Sequence, residues 1–337
     1  MASARSTQTR ASPLEVAAFV VSIDLEMGWG VHDQGLEAIE GLGPTRAQDE
    51  RALIASLLDL FRRHHIPATW AVVGHLFLDS CRPVGGVMHP DVFRPDYQWH
   101  DGDWLRLDPA TDLDTDPLWY GRDVVDMIRA ALPLQEIGCH TFSHLLAGDP
   151  GCSREAFSSD LAACDAAATS VGVDLRSFVF ARNSIGHLDV LAAHGYLSYR
   201  GHRPRGFDHL GGLKGVVARA IDRARPRPGS AVFPERVSGM WNLPETNFFG
   251  PSKRARWMPV AVWTSRQVRR LDLAARTRSL YHLWLHPEDL LAEPELALSS
   301  FERVIERAAS LREEGLIRTV AMGQLAAELE GSSPGRR

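Results

Sequence analysis

Short β-rich apolar runs alternating with stretches of helical period constrain this chain more than any other feature. Ala17–Ile23 is the first run, and Asp49–His64 carries apolar residues at Leu53, Ile54, Leu57, Leu58, Leu60 and Phe61, a helical spacing. Ala68–Val73 follows and stops at Gly74. Glu136–Cys139 ends at His140, and Arg154–Val171 reads as helix before the run Ser177–Ala181. Tyr281–Leu285 comes late, with a helix over Ser299–Glu314 behind it. Alternation of this kind predicts an α/β fold on a mainly parallel sheet. The 337 residues suffice for one barrel domain of about 250 residues with insertions. The expected domain covers 15–330, with flexible polar tails at 1–14 and 331–337.

Two stretches break the rhythm. Residues 80–120 are rich in Pro, Asp, Trp and His, and residues 203–260 in Arg, Gly and Pro. Long irregular segments inside a compact domain are usually functional, so both are read as insertions across the barrel mouth. Within the second, Lys214–Arg225 reads as a basic amphipathic helix. A solvated face is the favoured reading, with weak peripheral membrane contact the alternative.

Strand C-termini of a parallel barrel converge on one face, where active sites are built. Four runs here end in chemistry-bearing residues. Asp24 and Glu26, two apart on an extended segment, project to one side and suit a division between metal ligand and general base. A helix-capping Asp is the competing reading. His140 and His144, placed on a helical turn, would offer two imidazoles on one face, a zinc-type chelate completed by one carboxylate. Zinc heads the candidate metals; cobalt, manganese, iron and nickel fit the same donors. Arg182 ends the run 177–181 and can hold a catalytic carboxylate ionised, with a surface salt bridge as the alternative. His286 can act as the general acid for a leaving amine, a structural histidine being the other reading.

The formal net charge of −5 argues against nucleic acid as a partner. No apolar run reaches the ~18 residues of a membrane span, and the first residues lack the apolar core of a secretory signal, so a cytoplasmic protein is expected. The four cysteines, Cys81, Cys139, Cys152 and Cys164, form no CxxC pair. Cys139 is read as a small buried filler rather than a thiolate ligand.

Taken in order, these segments resemble the NodB-type polysaccharide deacetylases, metal-dependent carbohydrate esterases. Ser22-Ile-Asp-Leu-Glu26 is similar to the first motif in an Asp-x-Glu form, and Ala68-Thr-Trp-Ala-Val-Val-Gly74 to the second strand. Glu136-Ile-Gly-Cys-His-Thr-Phe-Ser-His144 matches the metal-binding motif most closely. Arg182-Asn-Ser-Ile-Gly186 resembles the Arg-x-Pro-x-Gly motif, with Ser184 in place of proline, and Trp284-Leu-His286 the late Leu-x-His motif. The resemblance implies a distorted (β/α) barrel with about seven parallel strands. It implies one divalent metal on Glu26, His140 and His144, with Asp24, Arg182 and His286 catalytic; the reverse assignment of the two acids stays open. Trp241 is implied as a sugar-stacking residue, with a core aromatic the competing reading, Asn183 as a substrate contact, and Trp119 and Tyr120 as a cover. Backbone N–H groups near residue 74 or 184 are the expected oxyanion donors. The implied reaction is N-deacetylation of a small or short glycan: a nucleotide sugar, lipid-linked saccharide or glycosylated natural product. A deformylase or other non-peptide amide hydrolase, and an inactive carbohydrate-binding relative, are the alternatives.

Overall fold

The computed structural model describes residues 9–10, 13–202, 231–250 and 259–331. Its strands are β1 (Thr9–Arg10), β2 (Ala17–Leu25), β3 (Thr69–Val72), β4 (Glu136–Cys139), β5 (Ser177–Val179), β6 (Ser198–Arg200), β7 (Glu235–Val237), β8 (Met240–Asn242), β9 (Asn247–Phe248), β10 (Leu280–Leu285) and β11 (Ile317–Thr319). They join in the order β1-β7-β8-β6-β5-β4-β3-β2-β10-β9, with β11 beside the first half of β2. From β8 to β9 every neighbouring pair is parallel, as is β11 with β2. The sheet curls into the distorted α/β barrel that the alternation predicts. The helices are α1 (Leu36–Glu40), α2 (Arg46–His64), α3 (Arg122–Ala130), α4 (Arg154–Ser170), α5 (Leu188–Ala193), α6 (Val260–Thr277), α7 (Pro294–Glu313) and α8 (Met322–Gly331).

The central strand β2 explains how the site is placed. All nine of its residues are buried, because both faces are covered. Phe19, Val21, Ile23 and Leu25 face the helical layer in the larger apolar cluster. Ala18 and Val20 point into the barrel, where they join Ala71, Val179, Leu280, and Met322 and Leu325 of α8. Farther along that inward face come Ser22 and Asp24, also buried. Pleat alternation thus puts apolar residues at the bottom of the barrel and polar ones at the strand C-termini.

β7 and β8 form an antiparallel hairpin whose turn residues, Ser238 and Gly239, have φ of 52° and 84°. Two consecutive left-handed residues are what a two-residue primed turn requires. The N-terminal tail differs from expectation: Thr9–Arg10 pairs with Arg236 and Glu235, and Leu14 is buried. An unpaired β7 edge is a ready partner for an extended segment. The Lys214–Arg225 stretch lies outside the described residues. Among the described residues, no helix is long and apolar enough to cross a membrane.

Candidate active site

Asp24 is the penultimate residue of β2 and Glu26 stands just beyond the strand, at the start of a short 3-10 turn over Met27–Gly30. His140 follows β4 directly. The segment to His144 is not a helical turn as the HxxxH spacing suggests: it is a loop in which Thr141 and His144 have φ of 63° and 56°. The left-handed residues swing His144 back toward the carboxylate. Asp160 of α4 holds this loop. Its carboxylate accepts the Phe142 N–H at 2.6 Å, the Ser143 N–H at 3.1 Å and the Ser143 hydroxyl at 2.6 Å.

Two ionic groups stand side by side at the barrel mouth. In the first, Glu26 Oε1 lies 3.0 Å from His140 Nε2 and 3.3 Å from His144 Nε2. His140 Nδ1 is 2.8 Å from the Val179 carbonyl, which can only accept, so Nδ1 carries the hydrogen. Glu26 Oε1 and the two Nε2 atoms thus converge on one point. Both ring nitrogens of His144 are buried without a hydrogen-bond partner. These three side chains could hold a divalent cation, and the Nδ1–H to carbonyl bond is the usual support of a metal-binding imidazole. One oxygen and two nitrogens suit zinc, with cobalt, manganese, iron or nickel as competitors. Burial pushes the Glu26 carboxyl up, but His144, His286 and the His140 contact outweigh it and hold it well below the carboxylate range.

In the second group, Asp24 meets Arg200 of β6 from across the barrel. Arg200 Nη1 and Nη2 donate to Asp24 Oδ1 and Oδ2, both at 2.6 Å. The guanidinium also donates to Ser22 Oγ and Asn183 Oδ1, and its carbon lies 4.3 Å from the Trp284 ring centroid. His286 faces both acids, with Nε2 at 3.6 Å from Asp24 Oδ2 and from Glu26 Oε1. Its Nδ1 donates to Asp289 at 2.8 Å. Burial alone would lower the His286 pKa; Glu26, Glu288, Asp289 and Asp24 prevail and raise it to about 10. Beside it burial raises the Glu288 carboxyl to about 8.

The structure thus gathers Asp24, Glu26, His140, His144 and His286, and corrects several other expectations. The arginine on Asp24 is Arg200; Arg182, with φ of 51°, reaches Asp33 at 2.6 Å instead. Arg182 and Asn183 do line the cavity. Trp119 and Tyr120 do not: Trp119 packs edge-on to Trp29, and the Tyr120 hydroxyl takes the Thr111 N–H. Their apolar area is spent on the core of the 80–120 insertion. Trp241 sits half-buried on β8 under the Arg236 guanidinium, away from the cavity. Neither expected oxyanion donor is free, since Gly74 N–H goes to Thr141 O and Ser184 N–H to Ala181 O. Cys139 is the buried filler expected of it, against Cys164 with sulfurs 3.3 Å apart.

Sequence reasoning missed Arg200, Asp160 and Asp289, and passed over the remaining histidines. His32 is buried within 6.2 Å of the His144 ring, and His282 bonds Ser22 behind Asp24. Trp284, inside a recognised motif, is the one tryptophan lining the cavity among the described residues. That cavity, of about 590 Å³, is bounded mainly by polar groups: Asp24, Glu26, Gln34, His144, Arg182, Asn183, His286 and Glu288.

No family model matches the chain, and no curated protein matches it. Solved structures do. A Mycobacterium smegmatis protein assigned as a polysaccharide deacetylase superposes with a TM-score of 0.61 at 14% identity, over 98% of this chain and 99% of its own. A Pseudomonas aeruginosa PAO1 protein with the same assignment gives 0.59 at 12% identity, over 95% and 92%. PuuE allantoinase gives 0.57 at 12% identity, over 95% and 93%. The chain has the NodB-type deacetylase fold, a distorted barrel of nine mutually parallel strands with an antiparallel edge.

Proposed function

We infer that this protein is a metal-dependent hydrolase of carbon–nitrogen bonds that removes an N-acetyl group from a sugar-bearing substrate. One observation carries the reading: the mouth separates a Glu26–His140–His144 donor set from an Arg200-held Asp24, with His286 facing both. A divalent cation bound to that set supplies Lewis acidity, polarising an amide carbonyl and lowering the pKa of a nearby water. Asp24 is placed to take the proton of the attacking water, because it lines the cavity and Arg200 fixes its carboxylate through both oxygens. His286, oriented by its Nδ1–H bond to Asp289, is placed to protonate the departing amine from Nε2. A cation on Glu26 cancels the largest contribution raising His286, bringing that imidazole closer to neutral, where acid catalysis works best.

Trp284 is the aromatic surface offered to a pyranose face, and Asn183, Arg182 and Gln34 are hydroxyl or anion partners. The cavity volume suits a mono- or disaccharide unit. A second reading, hydrolysis of a non-sugar amide, is favoured by the polar lining and by likeness to the allantoinase fold. The test is acetate release from UDP-N-acetylhexosamines, chitin oligomers and glycosylated small molecules, with and without chelator. Chelator-sensitive acetate release from a short conjugate is expected. Hydrolysis of a cyclic or linear ureide without acetate release moves the assignment to the second reading, and glycan binding without hydrolysis overturns both.

A further inference from the structure

A second cluster of ligand-type side chains lies in the 80–120 insertion, independent of the site above. His75 stands in the 3-10 turn Gly74–Phe77 that ends β3; Cys81, His89 and Asp108 come from the insertion. One donor atom from each lies within 4.8 Å of every other. The His75 and Asp108 side chains are fully buried, and His89 is only 16% exposed. Asp108 Oδ2 lies 3.0 Å from both His75 Nε2 and His89 Nε2, while Cys81 Sγ is 3.3 Å from Oδ1.

His75 Nδ1 is 3.1 Å from the Trp119 carbonyl and must carry the hydrogen. His75 Nε2 is thereby turned toward the Asp108 carboxylate at 3.0 Å, yet it is buried and makes no well-aligned hydrogen bond there. The Glu26–His140 pair shares the framework: there too Nδ1 faces a main-chain carbonyl and Nε2 faces a carboxylate.

We propose that His75, Cys81, His89 and Asp108 form a second metal site, which takes one divalent cation of the zinc class and fastens the insertion to the end of β3. Two nitrogens, one sulfur and one oxygen make a borderline-soft set that suits zinc over calcium or magnesium. Four protein donors fill a tetrahedron and leave no position for substrate, the signature of a structural site. The long irregular insertion has little regular secondary structure, and a cation tying three of its residues to the barrel end supplies the missing constraint.

The full chain, stripped with a chelator and reloaded with Co²⁺ alone, tests this by metal content and near-ultraviolet absorption. Among the candidate sites only this cluster offers sulfur, so a thiolate-to-Co²⁺ charge-transfer band reports it separately from Glu26, His140 and His144. About two Co²⁺ per chain and a thiolate band are expected, falling to about one and no band in Cys81→Ala. His89→Ala should weaken Co²⁺ binding at this site at least tenfold. The double variant His140→Ala/His144→Ala should keep the band. Absence of the band in the wild-type protein, or its survival in Cys81→Ala, overturns the site, and the wild-type spectrum decides even if a variant fails to fold.

Discussion

Arg200→Met puts the two ionic groups to a quantitative test. The Arg200 and Asp24 side chains are 0% and 3% exposed, and the substitution leaves Asp24 buried without its cation. Breaking one side of such a pair costs about 3–5 kcal/mol, since the desolvated carboxylate keeps its penalty and loses its partner. Methionine fills most of the volume, so little cavity cost adds to this. At about 2 °C per kcal/mol for a chain of this size, Tm should fall by about 6–10 °C. Metal content should hold, because Arg200 touches neither Glu26 nor the two histidines. Turnover should drop by about 10²-fold or more, with Asp24 no longer fixed against the substrate water. Arg200→Lys keeps charge but not the paired geometry and should recover stability more than kcat. The measurements are thermal melting by circular dichroism, metal content, and acetate release on the best substrate of the panel. Arg182→Met is the comparison: it lines the cavity and bonds Asp33, so it should raise KM more than it lowers kcat. If Arg182→Met loses more kcat than Arg200→Met, Asp24 is not the base that Arg200 serves.

Three further outcomes follow from the same geometry. Glu26→Gln should lose bound metal while Asp24→Asn keeps it and loses about 10²–10⁴ in turnover; the opposite pattern, read by metal content and kinetics, reverses the two acids. Asp160→Ala orphans two buried N–H groups and should cost about 2–5 kcal/mol while weakening metal binding through the displaced His144, both measurable by melting and titration. In chelated protein the His286 pKa is raised to about 10 from an unfolded value near 6.5, so the folded state binds the extra proton. Its contribution is therefore complete below about pH 6.5 and lost as pH climbs through about 10. Denaturant midpoints should fall across that window in the wild type and less in His286→Gln.

The residues legible in the sequence are those that end an apolar run. Asp24, His140 and His286 each follow a strand whose composition announces it, and the parallel order then brings their ends together. Arg200 escaped because β6 is three residues long and its arginine looks like a surface residue; only its position before Gly201 marks a strand end. Motif order pairs Arg182 with the catalytic acid, whereas the left-handed backbone at 182–183 accompanies a side chain that turns to Asp33. Trp119 and Tyr120 are expected as a cover of the site, because aromatic composition does not say which way a ring points. Trp104 and Trp119 serve instead as the core of a segment with little regular structure of its own. The His75 cluster has no fixed spacing, so no local pattern could reveal it.

The position of β2 also governs how this protein can be made. On one side it pairs with β10, some 260 residues later in the chain, through six consecutive residues from Ala18 to Ile23. A growing polypeptide therefore carries an apolar strand without this neighbour until β10 has been synthesised. Such distant pairing is slow to form and leaves a sticky edge exposed meanwhile. Asp24 likewise waits for an arginine 176 residues downstream. Ribosome-bound chains stopped before residue 280 should be protease-sensitive throughout the first hundred residues and should recruit chaperones, whereas release of the complete chain should let protection appear in one cooperative step.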